Sequence, residues 1–127
     1  MRVIIDRNLV IPAHYNIFDS AAPTLIFTEK KPATKKNTEY IKTDFTNDII
    51  PQILQILHAK KILSLIVEGG RQTLDSFISK NLWDEAIIQI GNKNFKKGLK
   101  APSILNKSLS SEMIGQDQLI YYKNTSA

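Results

Sequence analysis

Three runs of apolar residues stand out along the chain because nothing in them alternates. Val3-Ile4-Ile5 is β-branched and closes on Asp6, Thr24-Leu25-Ile26-Phe27-Thr28 is the second, and Ile62 to Val67, interrupted only by Ser64, is the third. Unalternating runs predict strands covered on both faces. Ile62–Val67 is therefore expected as an interior strand, with Val3–Ile5 beside it or one strand away. Tyr40-Ile41-Lys42 predicts a short strand, Ala86 to Ile90 another, and Leu119 to Tyr122 the last. Between Ser103 and Asp117 the signals are weak, with a strand at Ile104-Leu105 or near Glu112-Met113-Ile114.

Helical spacing is clearest from Asp48 to Lys61. Thr46, Asn47 or Asp48 can cap its start, and Pro51 falls in the first turn, where a missing N–H costs nothing. Ile49, Ile53, Ile56 and Leu57 form its apolar stripe, and Lys60 and Lys61 complement the helix dipole at its end. A second helix is expected over Gln72 to Lys80, with Leu74, Phe77 and Ile78 facing inward and Leu82 closing it. The segments Arg7–Pro23, Glu29–Thr38 and Gly91–Pro102 carry turn formers or clustered lysines and are expected as loops. Strand, helix, strand, helix, strand predicts an α/β layer fold with a largely parallel sheet, and strands after the last helix predict an antiparallel addition at its edge.

A length of 127 residues fits one domain, and 43% apolar content can form a core. The absence of Cys excludes disulfides, thiolate zinc sites and Cys nucleophiles, and suits a reducing cytoplasm. The start, Met1 to Asp6, is too short for the apolar region of a signal peptide, and no window approaches the ~20 apolar residues of a membrane span. A soluble cytoplasmic protein is expected. The net charge is +5, yet the lysines are scattered and no aromatic residues interleave with them. That pattern predicts a solvated surface with some attraction for anions, and neither a nucleic-acid nor a membrane partner.

Candidate chemistry centres on Glu68-Gly69-Gly70, between the third apolar run and the second helix. In open α/β sheets ligands bind beyond the carboxyl ends of strands. Two glycines there admit close backbone approach, and the free N–H groups of the following helix suit a phosphate. Arg71, Gln72 and Thr73 add donors; a mere tight turn accounts for the glycines equally well. Glu68 reads either as an acceptor for substrate hydroxyl or ring N–H groups or as a surface carboxylate. Asp6 and Arg7, at the end of the first strand, read as a second rim pair or as a loop salt bridge. His14 and His58 lack metal-site spacing and are expected to be structural or solvated, so no metal is expected. Trp83 is expected as a packing anchor.

Several blocks resemble one family. Arg2-Val3-Ile4-Ile5-Asp6-Arg7-Asn8-Leu9 with Ile11-Pro12, Pro23 to Thr28, Ile62 to Gly70 with Leu74, Leu82-Trp83-Asp84-Glu85-Ala86, and Gly98-Leu99-Lys100-Ala101-Pro102 resemble, in order and spacing, the C-terminal reductase domain of the bifunctional riboflavin-biosynthesis deaminase/reductase. The resemblance implies a dihydrofolate-reductase-like, three-layer α/β/α fold whose N-terminal part is missing. Residues 1–127 would be the C-terminal part of a single reductase domain, without the deaminase domain and the start of the reductase domain. It implies NADPH-dependent reduction of 5-amino-6-(5-phosphoribosylamino)uracil, a phosphorylated pyrimidine, with an incomplete site in the isolated fragment. Glu68 would contact substrate, and Arg7, Gly69, Gly70, Arg71, Gln72, Thr73, Leu74, Asp75 and Ser76 would bind the cofactor. Hydride comes from the cofactor, so no catalytic side chain is assigned. A homodimer is left open. The alternatives are a dihydrofolate-reductase-like reductase of another heterocycle and a non-catalytic module binding an anion or a partner chain.

Overall fold

The computed structural model describes residues 1–33, 35–94 and 96–125. They belong to two compact units, Met1–Ser64 and Leu65–Ala127.

In the first unit, β1 (Arg2–Ile5), β2 (Thr24–Thr28) and β3 (Thr38–Lys42) form a parallel sheet in the order β1-β2-β3. Leu25 lies between Val3 and Glu39, and Phe27 between Ile5 and Ile41. Every residue of β2 is buried, as its unalternating sequence requires of a central strand. Helix α1 (Ile49–Ala59) starts where the Asp48 carboxylate accepts the Ile50 N–H at 3.2 Å. Its buried residues, Ile50, Ile53 and Leu57, join Leu25, Ile26 and Phe27 in the core. Ile50 is thus the buried residue of the first turn, whereas the spacing pointed to Ile49.

Two strand expectations need correction. β1 is half-buried and lies at the edge of its sheet, not in the interior. Among the described residues Ile62–Val67 belongs to no strand, and Leu63 and Ile66 are 97% and 85% exposed. The expected pairing of this run near Val3–Ile5 is therefore absent. An apolar run favours extended backbone, but a strand exists only when a neighbour takes up its N–H and C=O groups. Sequence periodicity does not name that neighbour.

The second unit contains α2 (Arg71–Ser79), β4 (Glu85–Ile90), β5 (Ser110–Ile114) and β6 (Asp117–Lys123). Its sheet is antiparallel in the order β4-β6-β5, and it is a separate sheet rather than the expected antiparallel addition at the edge of the parallel one, because β4 and β5 both pair with β6. β5 and β6 form a hairpin whose turn includes Gly115 at φ +63°, a left-handed position suited to glycine. Beyond β6, the Asn124 side chain donates to Asn81 Oδ1 and to the Trp83 carbonyl, both at 2.8 Å. The Asn124 backbone N–H reaches the Asp84 carbonyl at 2.7 Å, tying the end of the sheet to the turn after α2. Trp83 is half-buried, in keeping with a packing role.

Candidate functional site

The second unit carries nine of the ten expected site residues, Glu68 to Ser76, in one stretch entering α2. Glu68, Gly69 and Gly70 are exposed and follow residues that belong to no hydrogen-bonded strand. Gly70 is the N-cap, at φ −62° and ψ −168°, and no side chain caps the helix. The first intrahelical bond runs from the Leu74 N–H to the Gly70 carbonyl at 3.1 Å. By helix geometry the N–H groups of Arg71, Gln72 and Thr73 precede that ladder and have no carbonyl within it. They sit at the positive end of the helix dipole, which favours an anion.

A Cβ placed on Gly69 or Gly70 would meet no heavy atom within 4 Å, and neither glycine has a positive φ. The backbone conformation therefore does not demand glycine here. What glycine provides is unobstructed approach to the helix entry. That space and the uncapped donors fit a phosphate-bearing group.

Along α2 the Arg71 Nε–Asp75 Oδ2 pair spans 3.1 Å, one helical turn apart. The Ser76 hydroxyl donates back to the Gln72 carbonyl at 2.8 Å. Arg71, Gln72, Asp75, Ser76, Ser79 and Leu99 line an open pocket of ≈ 420 Å³. Thr73 and Leu74 are half-buried and do not line it.

The tenth expected residue, Arg7, belongs to the first unit. Because its sheet is parallel, the carboxyl ends of β1, β2 and β3 share one edge, where Asp6-Arg7, Glu29 and Thr43-Asp44 emerge. Asp6 and Arg7 do not act as a pair. The Asp6 carboxylate is buried and accepts the backbone N–H groups of Val10 at 2.9 Å and Ile11 at 3.0 Å. Arg7 pairs instead with Glu29, Nη2 to Oε1, at 2.8 Å, and its guanidinium lies 5.6 Å from the centroid of the Phe45 ring. Glu29, Lys42, Thr43, Asp44 and Gln52 line a cavity of ≈ 580 Å³. The Asp44 carboxyl lies below its ordinary value because the Thr46 hydroxyl, the Thr46 N–H and the Asn47 amide all donate to it.

Sequence reading did not single out Glu29, Thr43 or Asp44. The available signal was their position just past an apolar strand, which becomes informative once the strands are known to be parallel. His14 and His58 are exposed, and no group of acidic, His or Cys residues suits a metal among the described residues. Among the described residues no helix is long and apolar enough to cross a membrane.

A parallel sheet in one unit, and a helix with an open glycine entry beside an antiparallel sheet in the other, describe a mixed α/β protein. The family is more specific. The RibD C-terminal domain matches residues 1–95, and the chain belongs to that family. The riboflavin biosynthesis protein RibD of Aquifex aeolicus is 27% identical across 97% of the chain and 38% of its own length. A 2,5-diamino-6-ribosylamino-4(3H)-pyrimidinone 5′-phosphate reductase of Archaeoglobus fulgidus is 32% identical across 72% of the chain and 44% of its own. Among solved structures, the diaminohydroxyphosphoribosylaminopyrimidine deaminase/5-amino-6-(5-phosphoribosylamino)uracil reductase of Thermotoga maritima superposes with a TM-score of 0.80 at 25% identity. That match covers 97% of this chain and 37% of the other. The chain thus spans well under half the length of each of these relatives. Its mixed α/β fold is theirs, as the expected dihydrofolate-reductase-like class required.

Proposed function

We propose that the chain supplies part of the cofactor and substrate sites of a 5-amino-6-(5-phosphoribosylamino)uracil reductase using NADPH. It would act as the C-terminal part of one reductase domain. The carrying observation is the sterically open Gly69-Gly70 entry to the uncapped helix α2, in a chain of the RibD C-terminal family. The cofactor, when bound, supplies the hydride. The N–H groups of Arg71, Gln72 and Thr73 hold its phosphate oxygens, and the Arg71 guanidinium, steadied by Asp75, adds positive charge. Asp75 and Ser76 line the adjoining pocket, and the half-buried Leu74 stands in the first turn of the same helix. Glu68, exposed just before the glycines, accepts hydrogen bonds from the substrate.

Fluorescence titration of the chain with NADPH tests this reading. Saturable binding that persists at moderate salt supports it. Binding of generic polyanions alone, lost at moderate salt, points instead to a non-catalytic anion-binding module. A homodimer is the assembly we propose, supported by the exposed Ile87 and Ile114 on one face of the β4-β6-β5 sheet; sedimentation velocity tests it.

A further inference from the structure

The Ile62–Val67 run is fixed at both ends yet belongs to no sheet. Where α1 stops, the Lys61 N–H donates to the His58 carbonyl at 2.8 Å and the Ile62 N–H to the Leu57 carbonyl at 3.0 Å, with Lys61 in the left-handed region at φ +60°. These two bonds end the helix and set where the run begins. Just past its other end, Gly70 is the N-cap of α2. In between, Leu63 is 97% and Ile66 85% exposed, and among the described residues the run joins no strand. It contains neither Pro nor a charged residue, the devices that keep an exposed β-prone segment from pairing. Charges stand immediately outside it, Lys60 and Lys61 before and Glu68 after.

We propose that this run pairs with the same run of a second copy of the chain, antiparallel about a two-fold axis between Ser64 and Leu65. In that register Ile62 opposes Val67, Leu63 opposes Ile66 and Ser64 opposes Leu65, and each pair occurs twice. The two most exposed side chains of the run thus cover one another across the strands. One step further out, Lys61 of each copy faces Glu68 of the other, so opposite charges close both ends. Parallel pairing in register would set Lys61 on Lys61 and Glu68 on Glu68, which is destabilising. One patch that complements itself is what a two-fold dimer requires. A carboxylate has about four acceptor sites, so Lys61 of the second copy leaves Glu68 able to accept from a substrate. The inference rests on the homodimer reading above and names its seat. Leu63 and Ile66 are more exposed than Ile87 and Ile114, and they alone come with backbone groups that no strand has taken up.

The test is sedimentation velocity of the whole chain across a concentration series, with hydrogen exchange read at the amides of Leu63–Val67. Circular dichroism first confirms that each variant is folded. Wild type is expected to dimerise, with protection of these amides rising as the dimer forms. Lys61→Glu and Glu68→Lys each set like charges opposite at both ends and should weaken the dimer about tenfold. The exchanged variant carrying both changes should return to wild-type affinity, an outcome that unspecific apolar association does not produce. Leu63→Lys should abolish the dimer and Ile87→Lys should leave it intact. Loss with Ile87→Lys and survival with Leu63→Lys overturns the strand pairing while the homodimer reading stands. Failure of the charge exchange to restore affinity overturns it as well. A monomer at every concentration, with freely exchanging Leu63–Val67 amides, ends both readings and leaves the run to a strand from another polypeptide. Should a charge variant misfold, the comparison of Leu63→Lys with Ile87→Lys decides.

Discussion

The buried carboxylate of Asp6 accepts the backbone N–H of Val10 at 2.9 Å. Its second oxygen takes the Ile11 N–H at 3.0 Å, so one side chain closes the turn leaving β1 and sets the base from which Arg7 projects. Asp6→Ala should destabilise the chain by about 2–4 kcal/mol, because two N–H groups lose a charged acceptor in a partly buried place. Urea denaturation followed by circular dichroism measures it. A loss below about 0.5 kcal/mol would show that water replaces the carboxylate without penalty.

Gly70→Val separates ligand access from backbone strain. Gly70 has φ −62° and its Cβ position is open, so the folded state should lose no more than about 1 kcal/mol, the scale of an unfavourable N-cap residue. NADPH binding should weaken tenfold or more, since a branched Cβ stands where the phosphates approach. Thermal melts and cofactor titration on the same sample check both halves. Unchanged affinity would remove the helix entry from the cofactor site.

Glu68→Gln should behave differently. In a complete reductase domain containing this segment, it should lower kcat/KM by roughly ten- to a hundredfold through loss of one charged acceptor. Cofactor affinity should stay as it was. Steady-state kinetics at saturating cofactor reads this, and a silent substitution would make Glu68 a surface carboxylate.

Acid should loosen the long connection between β1 and β2. Asp19 pairs with Arg2 at 2.8 Å, and its carboxyl lies below its ordinary value because the guanidinium and then the Ala21 N–H donate to it. A lowered folded-state value means the pair stabilises the fold above the unfolded-state value near 3.8 and loses that contribution as pH falls through the folded value. Both partners are solvent-exposed, so the effect is local and small. Amide exchange around Ile17–Ala21 should rise as pH drops below about 4 relative to Asp19→Asn, which should show no such step. Identical pH profiles for the two would show that the pair does not hold the loop.

Local patterning was enough for β2, whose five residues lie where the apolar run placed them, and for α1, whose Asp48 cap and first-turn Pro51 are signals within a few residues. It was also enough for the place of Gly69-Gly70 at the entry to α2, since a glycine pair before a helix is a local fact. Pairing was not local. Ile62–Val67 has a strand's composition and no strand partner among the described residues, while the equally apolar β1 lies at an edge. The partners of Asp6 and Arg7 were likewise hidden. Asp6 turned to backbone N–H groups four and five residues on, and Arg7 to Glu29, 22 positions away in sequence. Side-chain type determines what a residue can bind. Which group lies within 3 Å of it depends on sheet register and strand direction, and those are set by hydrogen bonds between segments far apart in the chain.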